Sequence, residues 1–137
     1  MTDEAVRRAL AIDRSSPDSD RTIDITTTGA RTGEPRRIET WFYRVGDRIY
    51  LTGLPGRRGW YANLLANPRF TFHLKHGVQA DLAATARPVT DEAERRRVIG
   101  EIVNELDDPG SPSGSANPAE TDAWVDGSPL VEVVFDP

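Results

Sequence analysis

The chain has 137 residues, a formal net charge of −5, and 37% hydrophobic and 28% charged residues. That length accommodates one core of ordinary size, and the composition is that of a globular chain rather than a disordered one. Cysteine is absent, which excludes disulfides, thiolate metal sites, a cysteine nucleophile and iron–sulfur clusters.

In chain order, residues 3–13 place Val6, Ala9 and Leu10 at helical spacing, so a short amphipathic helix is predicted there. The stretch is charged throughout and carries no secretory h-region, and no later run approaches the roughly 18 apolar residues of a spanning helix. A cytoplasmic location is therefore expected. Residues 15–20 read as a loop. From Arg21 to Thr28, Ile23 and Ile25 alternate with polar residues, the pattern of a strand. A turn bracketed by Gly29 and Gly33 and closed by Pro35 follows. Arg36–Val45 is rich in β-branched and aromatic residues, Gly46-Asp47 marks a hairpin, and Arg48–Leu54 is its partner strand.

After a second loop at 53–59, apolar residues at 60, 61, 64 and 65 predict a helix. Asn67-Pro68 ends it, because the residue before proline avoids the helical region. Arg69–Lys75 and Val78–Val89 alternate as strands across a break at His76-Gly77. Thr90 and Asp91 offer caps for a helix through Leu106. Residues 107–120 are rich in Pro, Gly and Ser and are expected to form a flexible loop. A helical turn near 119–125 and a β-prone strand at 130–135 complete the chain. The sum is about six antiparallel strands with short helices, mainly β with some α, arranged as a barrel or a sandwich in a single domain spanning 1–137.

The charge is unevenly spread. Residues 21–75 hold ten cations and four anions, a balance of +6, which leaves −11 for the remainder. A basic segment in an acidic chain points to an anionic partner, although solvated strand arginines would give the same count. All but one of the cations are arginine, whose planar fork suits phosphate and carboxylate.

Two loops concentrate this chemistry. In the first, glycines expose backbone N–H groups, Thr32 adds a hydroxyl, and Arg31, Arg36 and Arg37 supply charge. It matches neither a Walker A loop nor a dinucleotide fingerprint. The second, Gly53-Leu54-Pro55-Gly56-Arg57-Arg58-Gly59, lies between a strand and a helix, a favourable place for an anion. Trp60 and Tyr61 open that helix, as wall of a flat pocket or as core. His73 and His76 are three apart on a strand and face opposite sides, so no metal site is expected. No GxSxG elbow is present. Arg95-Arg96-Arg97 reads as a solvated helix face, and nucleic acid is not an expected partner.

The segment Thr26-Thr27-Thr28-Gly29-Ala30-Arg31-Thr32-Gly33-Glu34-Pro35-Arg36 resembles the TTTGRxTGxPR segment of the deazaflavin (F420)-dependent nitroreductase family. Trp60-Tyr61-Ala62-Asn63-Leu64-Leu65-Ala66-Asn67-Pro68 resembles the same family's WYxNLxANP segment, and the terminal strand is similar too. The resemblance runs from about Thr22 to Pro137 and implies a split β-barrel of the FMN-binding-like, flavin/deazaflavin oxidoreductase type. The implied cofactor is coenzyme F420, a deazaflavin with a phosphodiester and a polyglutamate tail, with FMN as the alternative. Carried over by motif, Ala30, Arg31, Thr32, Arg36 and Arg37 would hold its anionic part. Thr52, Gly53, Leu54, Pro55 and Gly56, with Arg57 and Arg58, would wrap the other side. Trp60, Tyr61 and Asn63 would border the ring, and Trp60, Tyr61 and Trp124 would line a substrate pocket. The implied activity is hydride transfer from the reduced cofactor to a quinone, enone or nitroaromatic; the alternative is a non-catalytic flavin, deazaflavin or lipid carrier. A homodimer is also implied. Ala30 stands where a cation is usual, the loop at 53–59 is short, and Trp124 is the only aromatic where activating nitroreductases carry tyrosines before the last strand.

Overall fold

The computed structural model describes residues 4–13, 15–107 and 121–137. Apart from Asp107, the loop expected at 107–120 lies outside the described residues. Six strands, β1 (Thr22–Thr28), β2 (Pro35–Val45), β3 (Arg48–Thr52), β4 (Arg69–Leu74), β5 (Ala80–Pro88) and β6 (Leu130–Phe135), form the fold with five helices among the described residues. The helices are α1 (Glu4–Leu10), α2 (Asp18–Arg21), α3 (Gly59–Ala66), α4 (Glu92–Asp107) and α5 (Thr121–Gly127). The strands close into an antiparallel barrel in the order β1-β2-β3-β6-β5-β4. Closure removes the free sheet edges that an open sheet of this size would expose. It also decides between the barrel and the sandwich in favour of the barrel.

Alternation fills the barrel. Ile23 and Ile25 on β1 and Phe72 on β4 are wholly buried inside it. Phe72 makes edge-to-face contacts with Phe42 at 5.3 Å and Phe135 at 5.1 Å between ring centroids, the arrangement aromatic quadrupoles favour. A second core lies outside the wall, where Tyr43, Tyr50 and Leu130 meet Val98, Ile99 and Ile102 of α4 and Trp124 and Val125 of α5. β3 is consequently buried on both faces after Arg48. Burial pushes the Tyr43 hydroxyl up to about 12.

Arg21 is fully buried. Its guanidinium pairs with Glu105 of α4 at 3.1 Å, donates to the Asp13 carbonyl at 3.1 Å and lies 5.7 Å from the Tyr43 ring centroid. It ends α2 rather than opening β1. Pro17, with φ −68°, starts that helical turn inside the stretch expected to be loop. β5 begins at Ala80 rather than Val78, because Gly77 (φ +77°) bends the chain between β4 and β5. β3 stops at Thr52, and Leu54 projects from the following loop, 63% exposed.

Candidate functional site

β1, β3 and β5 end where β2, β6 and β4 begin, so Thr28, Pro35, Thr52, Pro88, Arg69 and Leu130 border one end of the barrel. The loops 29–34 and 53–58 and helix α3 all leave from this end. The two basic loops, distant in sequence, are therefore neighbours in the fold.

The wall is opened on one side there. Phe42 to Val45 pair with β3, but Pro35 to Trp41 pair with β1 alone. Partners directly opposite in an antiparallel pair share a face. Arg36, Ile38 and Thr40 thus share the inner face with Thr27, Ile25 and Ile23. Ile25 is fully buried whereas its partner Ile38 is 36% exposed, which locates the opening. Arg37 and Glu39 lie on the outer face.

Arg36 and Arg37, both expected at an anion, therefore point to opposite sides. Arg37 donates to Asp24 at 2.9 Å. Lys75 binds the same carboxylate at 2.7 Å and also reaches Glu39. The Lys75 hydrogen bond, with that of Arg37, holds the Asp24 carboxyl below the ordinary carboxylate range. Arg37 is thus paired on the outer wall, on the opposite face from Arg36, and does not join the unpaired arginines.

The first loop is ordered from within. Gly29 N–H donates to the Glu34 carbonyl at 2.8 Å, and Gly33 N–H (φ +71°) to the Gly29 carbonyl at 3.0 Å. Glu34 N–H donates to Thr32 Oγ1 at 3.1 Å. A Cβ at position 29 would lie 2.6 Å from that hydroxyl, so any larger residue there must displace the Thr32 side chain. Ala30 N–H, expected to face an anion, is spent on Asn63 Oδ1 at 2.9 Å. Asn63 also donates to Thr27 Oγ1 at 3.1 Å. Through its side-chain amide, Asn63 seats α3 on the loop rather than presenting that group to a ring.

In the second loop Arg58 folds back, donating to the carbonyls of Arg57 and Leu54 at 2.9 Å each. Gly56 N–H donates to the Gly127 carbonyl at 3.0 Å. Arg57 is exposed and has no such partner among the described residues. Across the described residues Arg31, Arg36, Arg57 and Arg58 form no ion pair, whereas Arg37, Arg48, Arg69 and Lys75 each do. The first turn of α3 contains no acidic residue, so its partial positive charge adds to the cluster.

Trp60 and Tyr61 meet edge to face, 6.1 Å apart and at 80°, and both pack partly on the barrel core. Tyr61 also lines a cleft of about 530 Å³ with Gly56, Arg57, Arg95, Asp126 and Gly127. Trp124 does not join them: it is 5% exposed in the second core. His73 is held on the outer wall, Nε2 to Thr26 Oγ1 and Nδ1 to Asp81 Oδ1, both at 2.7 Å. No group of three metal-ligating side chains occurs among the described residues. No described helix is long and apolar enough to cross a membrane.

Arg95 departs from the solvated face expected for 95–97. It donates to the carbonyls of Val125 (2.9 Å), Val89 (2.9 Å) and Ser128 (2.6 Å). Its spacing carries the signal, since Arg95 stands three and seven residues before Val98 and Ile102, on the buried stripe of α4. Arg96 does face outward, onto Asp122 at 2.7 Å.

Residues 3–109 match the family described as F420H(2)-dependent quinone reductase. An F420H(2)-dependent quinone reductase of Mycobacterium tuberculosis is 32% identical over 96 residues, 65% of this chain and 60% of the relative. The chain thus spans 60% of the length of the curated relatives it matches. Among solved structures, a conserved hypothetical protein of Mycobacterium tuberculosis aligns over the whole chain and 82% of its own, with TM-score 0.66 and 19% identity. An F420-H2 dependent reductase aligns over 82% of this chain and 93% of its own, with TM-score 0.56 and 20% identity. At such identities the likeness establishes the fold.

Proposed function

We propose that this chain, which belongs to the F420H(2)-dependent quinone reductase family, binds reduced coenzyme F420 and reduces a small electrophile with it, a quinone in the first instance and an enone or nitroaromatic otherwise. The observation that carries this reading is that Arg31, Arg36, Arg57 and Arg58 are all carried at one barrel end and form no ion pair among the described residues, with Glu34 the one acid in the two loops. Cations gathered at one end without counter-charges repel one another, and an arriving anion relieves that repulsion. The phosphodiester and polyglutamate tail of F420 fit such a set, because each oxygen can accept a charge-assisted hydrogen bond.

In this reading Arg31 and Arg36 hold the anionic part from the side of the first loop. Arg57, presented by a loop that Arg58 folds back on, holds it from the other. Gly53, Leu54, Pro55 and Gly56 wrap the cofactor, and Trp60 and Tyr61 border its ring. The bound reduced cofactor supplies a hydride, and with a proton from solvent the two electrons convert a quinone to its hydroquinone. The protein's own work is to bind, orient and limit access of water, so no nucleophile is needed. A cytoplasmic setting and pairing of two copies belong to the same proposal; light scattering on the purified chain tests the second.

Titrating the purified protein with oxidised F420, followed by ring fluorescence, should give saturable binding at micromolar cofactor, and the reduced form should turn over with a quinone. No binding sinks the proposal, FMN binding in its place replaces the cofactor, and binding without turnover with any quinone or enone identifies a carrier.

A further inference from the structure

Arg95 spends its guanidinium on three backbone carbonyls from three different segments: the end of β5, α5, and the turn before β6. Two of these acceptors, at Val125 and Ser128, lie at the C-terminal end of α5, where helix carbonyls lack partners of their own. The planar fork spreads five N–H donors over three nitrogens in fixed directions and so reaches carbonyls that lie apart, whereas an ammonium gathers three donors on one nitrogen.

The corner so fixed is the seat of the second basic loop. Gly127, between the two held carbonyls of the corner, accepts the Gly56 N–H at 3.0 Å. The contact is close enough that a Cβ on Gly127 would stand 3.2 Å from the Pro55 Cβ. From the strand side, Thr52 Oγ1 donates to the Pro129 carbonyl at 2.5 Å. The loop bearing Arg57 therefore leans on a corner whose position Arg95 sets, and Arg57 and Arg95 line the same cleft.

We propose that Arg95 is a positioning residue: it holds the α5–β6 corner against which the loop 53–58 is seated, and so sets affinity for an anionic cofactor without supplying charge to it. The affinity part rests on the proposed F420 reading; the seating of the loop does not.

Amide hydrogen exchange and F420 titration over a salt series test both parts on the full chain. In Arg95→Lys the Gly56 amide should exchange at least about tenfold faster, because the acceptor it needs is no longer held. F420 should bind about tenfold more weakly at every salt concentration, with an unchanged salt slope, because the number of cations facing the ligand is the same. Gly127→Ala leaves Arg95 intact and disturbs the seat from its other side, so it should reproduce both effects. It also serves if Arg95→Lys does not fold. Unchanged Gly56 exchange in the folded variant overturns the seating. A flattened salt slope in Arg95→Met beside an unchanged slope in Arg95→Lys, with Gly127→Ala leaving affinity untouched, overturns the positioning role in favour of direct contact. If the unaltered protein binds no F420, the cofactor reading fails, and Gly56 exchange still decides the seating.

Discussion

On β2, Arg37 reaches Asp24 at 2.9 Å on the outer wall, while Arg36, its neighbour in sequence, faces inward at the opened end with no carboxylate among the described residues. The same contrast runs through the molecule. Lys75 and Arg69 are tied to Asp24 and Asp136, Arg87 to Glu132 directly across the strands and to Glu94 of α4, and Arg21 is buried with Glu105. Arg31, Arg57 and Arg58 project from loops that contain one acidic residue between them, Glu34. These paired wall cations have their counter-charges built in and are structural, whereas Arg36 and Arg44, also on β2, form no ion pair among the described residues. Loop cations lack them and are available to a ligand. Net charge by segment cannot separate the two, because it adds both.

Breaking the buried member of the first group should have the largest effect. Arg21→Met leaves Glu105 without its partner at an almost closed site, and about 3–5 kcal/mol of stability should be lost in urea unfolding. A loss below about 1 kcal/mol would show that water already screens the pair.

Asn63→Ala comes next. It removes the bonds to Ala30 N–H and to the buried Thr27 hydroxyl, at about 1–3 kcal/mol, and releases the first loop from α3. Its melting temperature should fall and F420 binding should weaken with it; weakened binding without a fall in stability would mean the amide contacts the ligand instead.

The smallest changes sharpen the contrast most. Arg31→Gln should alter stability by no more than about 0.5 kcal/mol, as for an unpaired surface residue, yet weaken F420 about tenfold and flatten its salt dependence. Arg37→Gln should do the reverse, costing up to about 1 kcal/mol and leaving cofactor titrations unchanged. Equal effects of the two on binding would dissolve the distinction between wall and loop.

Much of the fold was legible. The strands at 22–28, 69–74 and 130–135 declare themselves by alternation, and α3 ends where Asn67-Pro68 requires. α2 was missed because one helical turn has no periodicity to read. Arg95 was misread because three adjacent arginines look alike in sequence, although only one lies on the apolar stripe. Trp124, expected in a pocket with Trp60 and Tyr61, turned out to be core; an aromatic on a short helix carries no sign of which side is covered.

By itself the sequence determined which segments become strands, where the chain turns, and that two arginine-bearing loops exist. These are local properties, set by backbone preference and the period of apolar residues. Barrel closure was decided only in three dimensions, and with it the meeting of the two loops at one end and the sorting of Arg36 from Arg37 and Arg95 from Arg96. Partner carboxylates and carbonyls come from strands and helices far away in the chain. Whether a charge is satisfied is a property of what lies within a few ångströms of it, and no spacing along one segment contains that distance.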